Sequence, residues 1–324
     1  MRFAVAGAGA VGGYLGARLA AAGQDVALLA RGPHLRAMAE RGVRVQSPDG
    51  DFEARPTVSD SPAAIGAADV VILGVKAHSL GDLAPRLGPL LGPDTVVVST
   101  QNGIPWWFTP LERVDPGGVI AAAIDAAAVV GSIVYFSSEV TEPGVIRHIE
   151  GNRISIGEPG GGRSERCRVI ARALTAAGLR CPVTAHLREE IFVKLLGNAA
   201  FNPISAITGA TLAQMVGDPD VSALARRIMA EVESVASALG LRLPVSIDQR
   251  MSGAERVGEH KTSMLQDLEA GRPLELEAVV GAVMELGARL GIAMPSTSAV
   301  YACAKLRAQC RPRVDRDPAM GDQR

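Results

Sequence analysis

Hydrophobic positions along this chain follow two different periods. Up to about residue 185 they gather into short β-rich runs at 2–6, 25–30, 69–75, 95–99, 119–136, 145–156 and 179–183, with helix-patterned stretches at 10–22, 79–91 and 163–177 between them. Strands alternating with helices predict a parallel sheet covered on both faces. Two further runs, 42–46 and 51–58, flank Ser47-Pro48-Asp49-Gly50 and predict a hairpin. From His186 onward β-branched runs become scarce and the apolar spacing is helical over 186–208, 210–216, 219–239, 246–270, 274–290 and 297–310. The expected organisation is an α/β domain over 1–185 and an all-α domain over 186–310. Residues 311–324 are charged and proline-interrupted, which predicts a disordered tail.

Composition changes this picture mainly by exclusion. The 324 residues carry a formal net charge of −1 and 3% aromatics, which leaves no electrostatic case for nucleic acid or an anionic membrane and no platform for stacking bases. Four cysteines without CxxC spacing and five histidines without a cluster predict reduced thiols, no disulfide framework and no metal site. The apolar N-terminus has the look of a signal peptide, but Gly7, Gly9, Gly12, Gly13 and Gly16 would each cost about 1 kcal/mol in a helical segment. No other stretch approaches about 20 uninterrupted apolar residues, so the expected location is the cytoplasm.

Those glycines have a better use. Gly7-Ala8-Gly9-Ala10-Val11-Gly12 is a GxGxxG placed between a predicted strand and a predicted helix. Gly7 permits the tight turn, Gly9 lets a pyrophosphate approach the backbone, and Gly12 lets helix and strand pack closely. The helix N-terminus then offers N–H groups to the phosphates. The first domain is therefore read as a Rossmann-type dinucleotide-binding domain. An NAD site carries an acid at the end of the second strand; here the strand ends in Ala30-Arg31-Gly32, and a guanidinium suits a 2′-phosphate. NADP(H) is the expected cofactor, against the plainer alternative that Arg31 caps a solvated edge. Lys76 and Asn102 follow the strands 69–75 and 95–99, at the edge where open α/β sheets bind ligands. Lys76 is equally readable as a surface lysine, and Asn102 before Gly103 as turn chemistry.

The second domain holds the most informative segment. Lys194, Asn198 and Asn202 stand at i, i+4 and i+8 and form one stripe on a helix whose other positions from Ile191 to Phe201 are almost all apolar or glycine. Such a helix is buried, so its stripe lines a cleft or joins a structural polar network. Pro203 predicts a kink just beyond it. Only four of the 33 basic residues are lysines and only four asparagines occur, so this stripe draws heavily on scarce residue types. A lysine kept in an arginine-rich chain suggests a proton donor, with two amides to hold a carbonyl and hydroxyls. Ser263 and Asp267 lie one turn apart on a later helix, and Glu275 follows Gly271-Arg272-Pro273 in a first turn, where an acid is also simply good capping.

GAGAVG at 7–12, Ala30-Arg31-Gly32, Val75-Lys76, Gln101-Asn102-Gly103, Lys194-x-x-x-Asn198-x-x-x-Asn202-Pro203 and SMLQDLEAGRPLELEAVVG at 263–281 resemble the ketopantoate reductase (2-dehydropantoate 2-reductase) family, in order from residue 1 to about 310. The resemblance implies NADPH-dependent reduction of ketopantoate to pantoate in pantothenate biosynthesis, with Lys194 as the catalytic acid. It places Asn102, Asn198, Asn202 and Ser263 on a small-molecule 2-oxo acid. The cofactor falls to Gly7, Ala8, Gly9, Ala10, Val11, Gly12, Arg31, Lys76, Asn102 and Glu275, with Asp267 structural and a homodimer allowed. Two departures concern the substrate: Ile104-Pro105-Trp106-Trp107-Phe108 puts both tryptophans next to the site, and 207–212 lacks an asparagine that some members use. The alternatives are an NADPH reductase of another 2-oxo acid or β-hydroxyacid, and an NADP-binding regulator without turnover.

Overall fold

The computed structural model describes residues 1–310; the expected tail at 311–324 lies outside them. The chain divides into two compact units at Ile191/Phe192.

The first unit is a ten-stranded mixed sheet. Its strands are β1 (Arg2–Ala6), β2 (Asp25–Leu29), β3 (Val43–Gln46), β4 (Phe52–Ala54), β5 (Thr57–Ser59), β6 (Ala68–Leu73), β7 (Leu91–Ser99), β8 (Val129–Glu142), β9 (Val145–Gly157) and β10 (Val183–Thr184). The order is β4-β3-β9-β8-β7-β6-β1-β2-β5, parallel from β8 through to β5, with β8 and β9 joined as a long antiparallel hairpin and β10 beside β9. Strands β1 and β6 are apolar almost without break because both their faces are covered. The helices are α1 (Ala10–Ala21), α2 (Gly32–Arg41), α3 (Pro62–Ile65), α4 (Ala77–Leu83), α5 (Val119–Ala123) and α6 (Glu165–Ala176). Helix α1 presses on the sheet through glycines: a Cβ at Gly16 would strike Leu28, and one at Gly13 would strike Ile146.

Several expectations for this unit need correction. The helix expected at 79–91 ends as α4 at Leu83 and gives way to 3₁₀ turns at Ala84–Arg86 and Gly88–Leu90, each carrying a proline that cannot continue an α-helical ladder, before β7 begins at Leu91. Residues 51–58 do not form one strand. β4 pairs with β3 as the predicted hairpin, whereas β5 crosses to the far edge beside β2, because Pro56 between them has no N–H to continue a ladder. The expected strand at 119–136 begins only at Val129; its alanine-rich first part forms α5 and a short 3₁₀ turn, Ala126–Ala128, since alanine favours helix and lacks the branched side chains that suit a pleated sheet.

Helix α7 (Leu187–Thr208) starts in the last residues of the first unit, supplies the first residues of the second, and continues through Pro203. By length and composition it could cross a membrane, but 72% of its apolar window is buried within the fold. The second unit adds α8 (Leu212–Gly217), α9 (Pro219–Ala238), α10 (Ile247–Val257), α11 (Ser263–Glu269), α12 (Ala282–Arg289) and α13 (Pro295–Gln309). Helix α9 is the hub, packing α8, α10, α12 and α13 against a face that includes Ile228, Met229 and Val232. Its Glu231 accepts from the N–H groups of Ser296 and Thr297 at 2.9 Å, capping α13. The single helix expected at 246–270 is two, because Gly258 turns at φ 77° between α10 and α11. The helix expected over 274–290 opens with a π-helical turn, Glu277–Gly281, before α12.

Candidate active site

At the carboxyl edge of the first unit's sheet, three glycines interlock. A Cβ on Gly12 would collide with the carbonyl of Gly7 and come within 3.0 Å of Gly74 Cα, while one on Gly74 would meet Gly12 Cα at 2.7 Å. Gly74, at the end of β6, therefore belongs to the loop as much as the two motif glycines do. Gly9 is the opposite case: it is exposed and a Cβ there would meet nothing within 4 Å. It is the N-cap of α1, whose first turn has neither a side-chain cap nor an acid. Uncapped N–H groups beside open space at a backbone turn are what a dinucleotide pyrophosphate requires, so the residues present fit such a cofactor.

Arg31 lies just past β2, exposed, as the N-cap of α2. His34, in the first turn of α2, went unnoticed in the sequence. Its Nδ1 accepts from Gly144 N–H at 2.9 Å, which leaves Nε2 to donate to the Ala8 carbonyl at 2.8 Å. One ring thus ties α2, the glycine loop and the β8–β9 turn together. Lys76 is half-buried as the N-cap of α4. Asn102 is half-buried too, and its loop is tied to that of Lys76, because the Gln101 amide donates to the carbonyls of Leu73 and Val75, both at 2.9 Å. The structure thus groups the glycine loop, Lys76 and Asn102 at the ends of β1, β6 and β7.

The tryptophans that follow the Asn102 loop are buried; Trp106 lines a small cavity with Ala77 and Gln101. Trp106 and Trp107 are 4% and 8% exposed, and the Trp107 ring lies where a Cβ on Gly131 of β8 would otherwise go. Arg188 stacks on Phe108 at 4.3 Å and donates to its carbonyl at 3.0 Å. The segment is packed as part of the first unit's interior, driven by the apolar area of three adjacent aromatic rings.

In the second unit the stripe on α7 grades from half-buried Lys194 and Asn198 to buried Asn202. Burial pushes the Lys194 ammonium down from its ordinary 10.5 to about 8; the Glu275 carboxylate opposes that shift, and the Arg250 guanidinium adds to it. Glu275, Arg250 and Lys194 therefore share one electrostatic environment. Arg250 was not singled out from sequence, where nothing distinguishes it from other arginines. Ser263 is exposed at the start of α11, whereas Asp267, one turn on, is buried and accepts from Arg272 Nε at 2.9 Å, which joins that helix to the turn following it.

The model of the family described as "Ketopantoate reductase PanE/ApbA" matches residues 3–161, and that of its C-terminal domain matches residues 186–308. The 2-dehydropantoate 2-reductase of Mesorhizobium japonicum is 48% identical over 94% of this chain and 97% of its own length. The chain belongs to the ketopantoate reductase family. Members of this family are dinucleotide-binding oxidoreductases. Among solved ketopantoate reductases, the 2-dehydropantoate 2-reductase of Geobacter metallireducens superposes with a TM-score of 0.86 at 30% identity, covering 94% of this chain and 99% of that one. A D-mandelate dehydrogenase solved with NADH and anilino(oxo)acetate shares the fold at TM-score 0.85 and 21% identity, over 95% of this chain and 98% of that one.

Proposed function

We propose that this ketopantoate reductase family member reduces 2-dehydropantoate to pantoate with NADPH, in the cytoplasm, as a step of pantothenate biosynthesis. The first domain, 1–185, holds the cofactor and the second, 186–310, carries the proton donor. The observation that carries the proposal is Lys194: a half-buried lysine held near 8, in line with two carboxamides on a helix whose other positions from Ile191 to Phe201 are apolar or glycine. The chemistry that NADPH supplies when bound is a hydride for C2 of the 2-oxo acid. Lys194 donates its proton to the oxygen on that carbon, so the ammonium stabilises charge that exists only as the hydride arrives. Asn198, Asn202 and Ser263 hold the substrate, and Asn102 orients the carbonyl. Glu275 keeps Lys194 charged, since its field raises the lysine's proton affinity. The amides of the 7–12 loop bind the pyrophosphate, and Arg31 and Lys76 bind the 2′-phosphate.

The deciding experiment is loss of NADPH absorbance over a panel of 2-oxo acids. Ketopantoate is expected to exceed the others in kcat/KM by at least ~10-fold. NADPH binding without turnover of any acid would make the protein a regulator, and a different preferred acid would reassign the substrate.

Arg31 gives a separate test of the cofactor. A charge-assisted hydrogen bond is worth about 1.5–3 kcal/mol, so R31A should raise the KM for NADPH at least ~10-fold. The KM for NADH, which has no 2′-phosphate, should stay within about twofold. Equal losses for both cofactors would remove Arg31 from that role.

A further inference from the structure

Beside the Lys194 stripe sits a second cation with its own seat. Gly197 is buried in α7, three residues after Lys194 and one before Asn198. A Cβ at Gly197 would fall 2.8 Å from Arg250 Nε and 2.9 Å from its Cζ, and closer still to Nη2. The guanidinium therefore lies on α7 in the space a side chain would occupy. Glycine inside a helix costs about 1 kcal/mol relative to alanine, and at this position the missing Cβ makes room for the arginine. Positions i and i+3 are neighbours on a helix surface, so Arg250 covers the flank of the stripe.

Around the Lys194 ammonium the fields of the Arg250 guanidinium and the Glu275 carboxylate meet, so a substrate that brings an anionic group beside the reacting carbonyl would place it next to a guanidinium. A 2-oxo acid carries its carboxylate on the carbon next to the reacting carbonyl, so the group that protonates the carbonyl oxygen and the group that binds the carboxylate must be neighbours. Lys194 and Arg250 are neighbours in that sense, and a guanidinium offers the forked pair of donors that a carboxylate accepts.

We propose that Arg250, seated on Gly197, receives the carboxylate of the 2-oxo acid, and that Gly197 is glycine so that it can; this rests on the reductase function proposed above. Arg250 then has two effects through one charge. It fixes the acid end of the substrate, and its field keeps the Lys194 proton easier to release. The substrate's own negative charge offsets the repulsion between the two cations on binding.

The test uses the full-length enzyme at saturating NADPH, with ketopantoate and with ketopantoyl lactone, whose corresponding carboxyl is esterified and uncharged. R250Q is expected to raise the KM for ketopantoate at least ~30-fold with a smaller change in kcat, because losing a charged partner weakens ground-state binding. The preference for acid over lactone should collapse toward unity, and the basic limb of the kcat–pH profile should move upward as a like charge is removed. G197A keeps the charge but fills its seat, and should raise the same KM at least ~10-fold. A purely structural arginine would alter stability without changing the acid-to-lactone ratio. Should R250Q not fold, R250K decides: its point charge should keep part of the acid preference while KM rises about tenfold, since lysine lacks the fork. A ketopantoate KM within about threefold of wild type in the folded variant, with acid preference intact, overturns the proposal. Failure of the wild-type enzyme to reduce any 2-oxo acid would instead overturn the function on which it rests.

Discussion

K194A is expected to lower kcat for ketopantoate reduction by at least ~10²-fold with little change in NADPH affinity, since a positioned proton donor typically contributes 10²–10⁴-fold. Lysine suits the role because it can both hold and release a proton near neutral pH, and its pKa of about 8 keeps it charged at pH 7 without binding the proton too tightly. The direction of the pH dependence follows. Reduction needs the ammonium, so kcat should be level below pH 8 and fall as pH rises through that value; in K194A this break should vanish. K194R keeps a charge but holds its proton throughout the accessible range, so it should bind substrate and turn over poorly.

The same shift makes a statement about stability that separates catalysis from architecture. Lys194 has a lowered folded-state pKa, so between about 8 and its ordinary 10.5 the unfolded chain binds more protons than the folded one. Stability from this group therefore rises with pH through that window, and at pH 7 the charged lysine is a liability that Glu275 only partly offsets. K194M should consequently melt no lower than wild type at pH 7, and higher if the methionine packs well, while being inactive. A lysine that stitched α7 to its neighbours would show the reverse, a lower Tm on removal. Thermal denaturation of the two proteins across pH 7–10 checks this, and a clear loss of stability in K194M at pH 7 would sink the catalytic assignment.

Local pattern was legible in the sequence, and long-range contact was not. The order of strand, glycine turn and helix at 2–21, and the stripe of Lys194, Asn198 and Asn202, depend on spacings within one element, and both stand in the structure where spacing puts them. Some misplaced elements carried a local signal that was outweighed by neighbouring residues: Pro56 between β4 and β5, the alanines before Val129, and Gly258 between α10 and α11. Other features had no such signal. Gly74 looks like a strand terminus until β6 brings it against Gly7 and Gly12, and Arg250 is one more arginine until α10 lays it on Gly197. That the tryptophans are buried could not be read from their place after Asn102, because proximity in sequence says nothing about direction, and a run of large apolar rings turns inward.

G12A and G9A should separate the two jobs of the phosphate loop. At Gly12 an added methyl meets the backbone of Gly7 and Gly74, and backbone cannot swing aside as a side chain tip can. Overpacking of this kind costs about 1–3 kcal/mol, and a domain of roughly 150–250 residues loses about 2–4 °C per kcal/mol, so G12A should melt several degrees lower even without ligand. Forced apart, strand and helix also misplace the amides, and NADPH binding should weaken at least ~10²-fold. At Gly9 the backbone angles, φ −71° and ψ −161°, are open to any residue, and no protein atom lies within 4 Å of the new methyl. The ligand-free Tm of G9A should therefore stay within about 1 °C of wild type. Its NADPH Kd should nevertheless rise at least ~10-fold, because the methyl stands where the pyrophosphate must approach. Thermal melts paired with fluorescence titration of NADPH read both effects. If G9A bound NADPH as tightly as wild type, the open space at Gly9 would have no connection with the cofactor, and the binding surface would have to be sought elsewhere on the first unit.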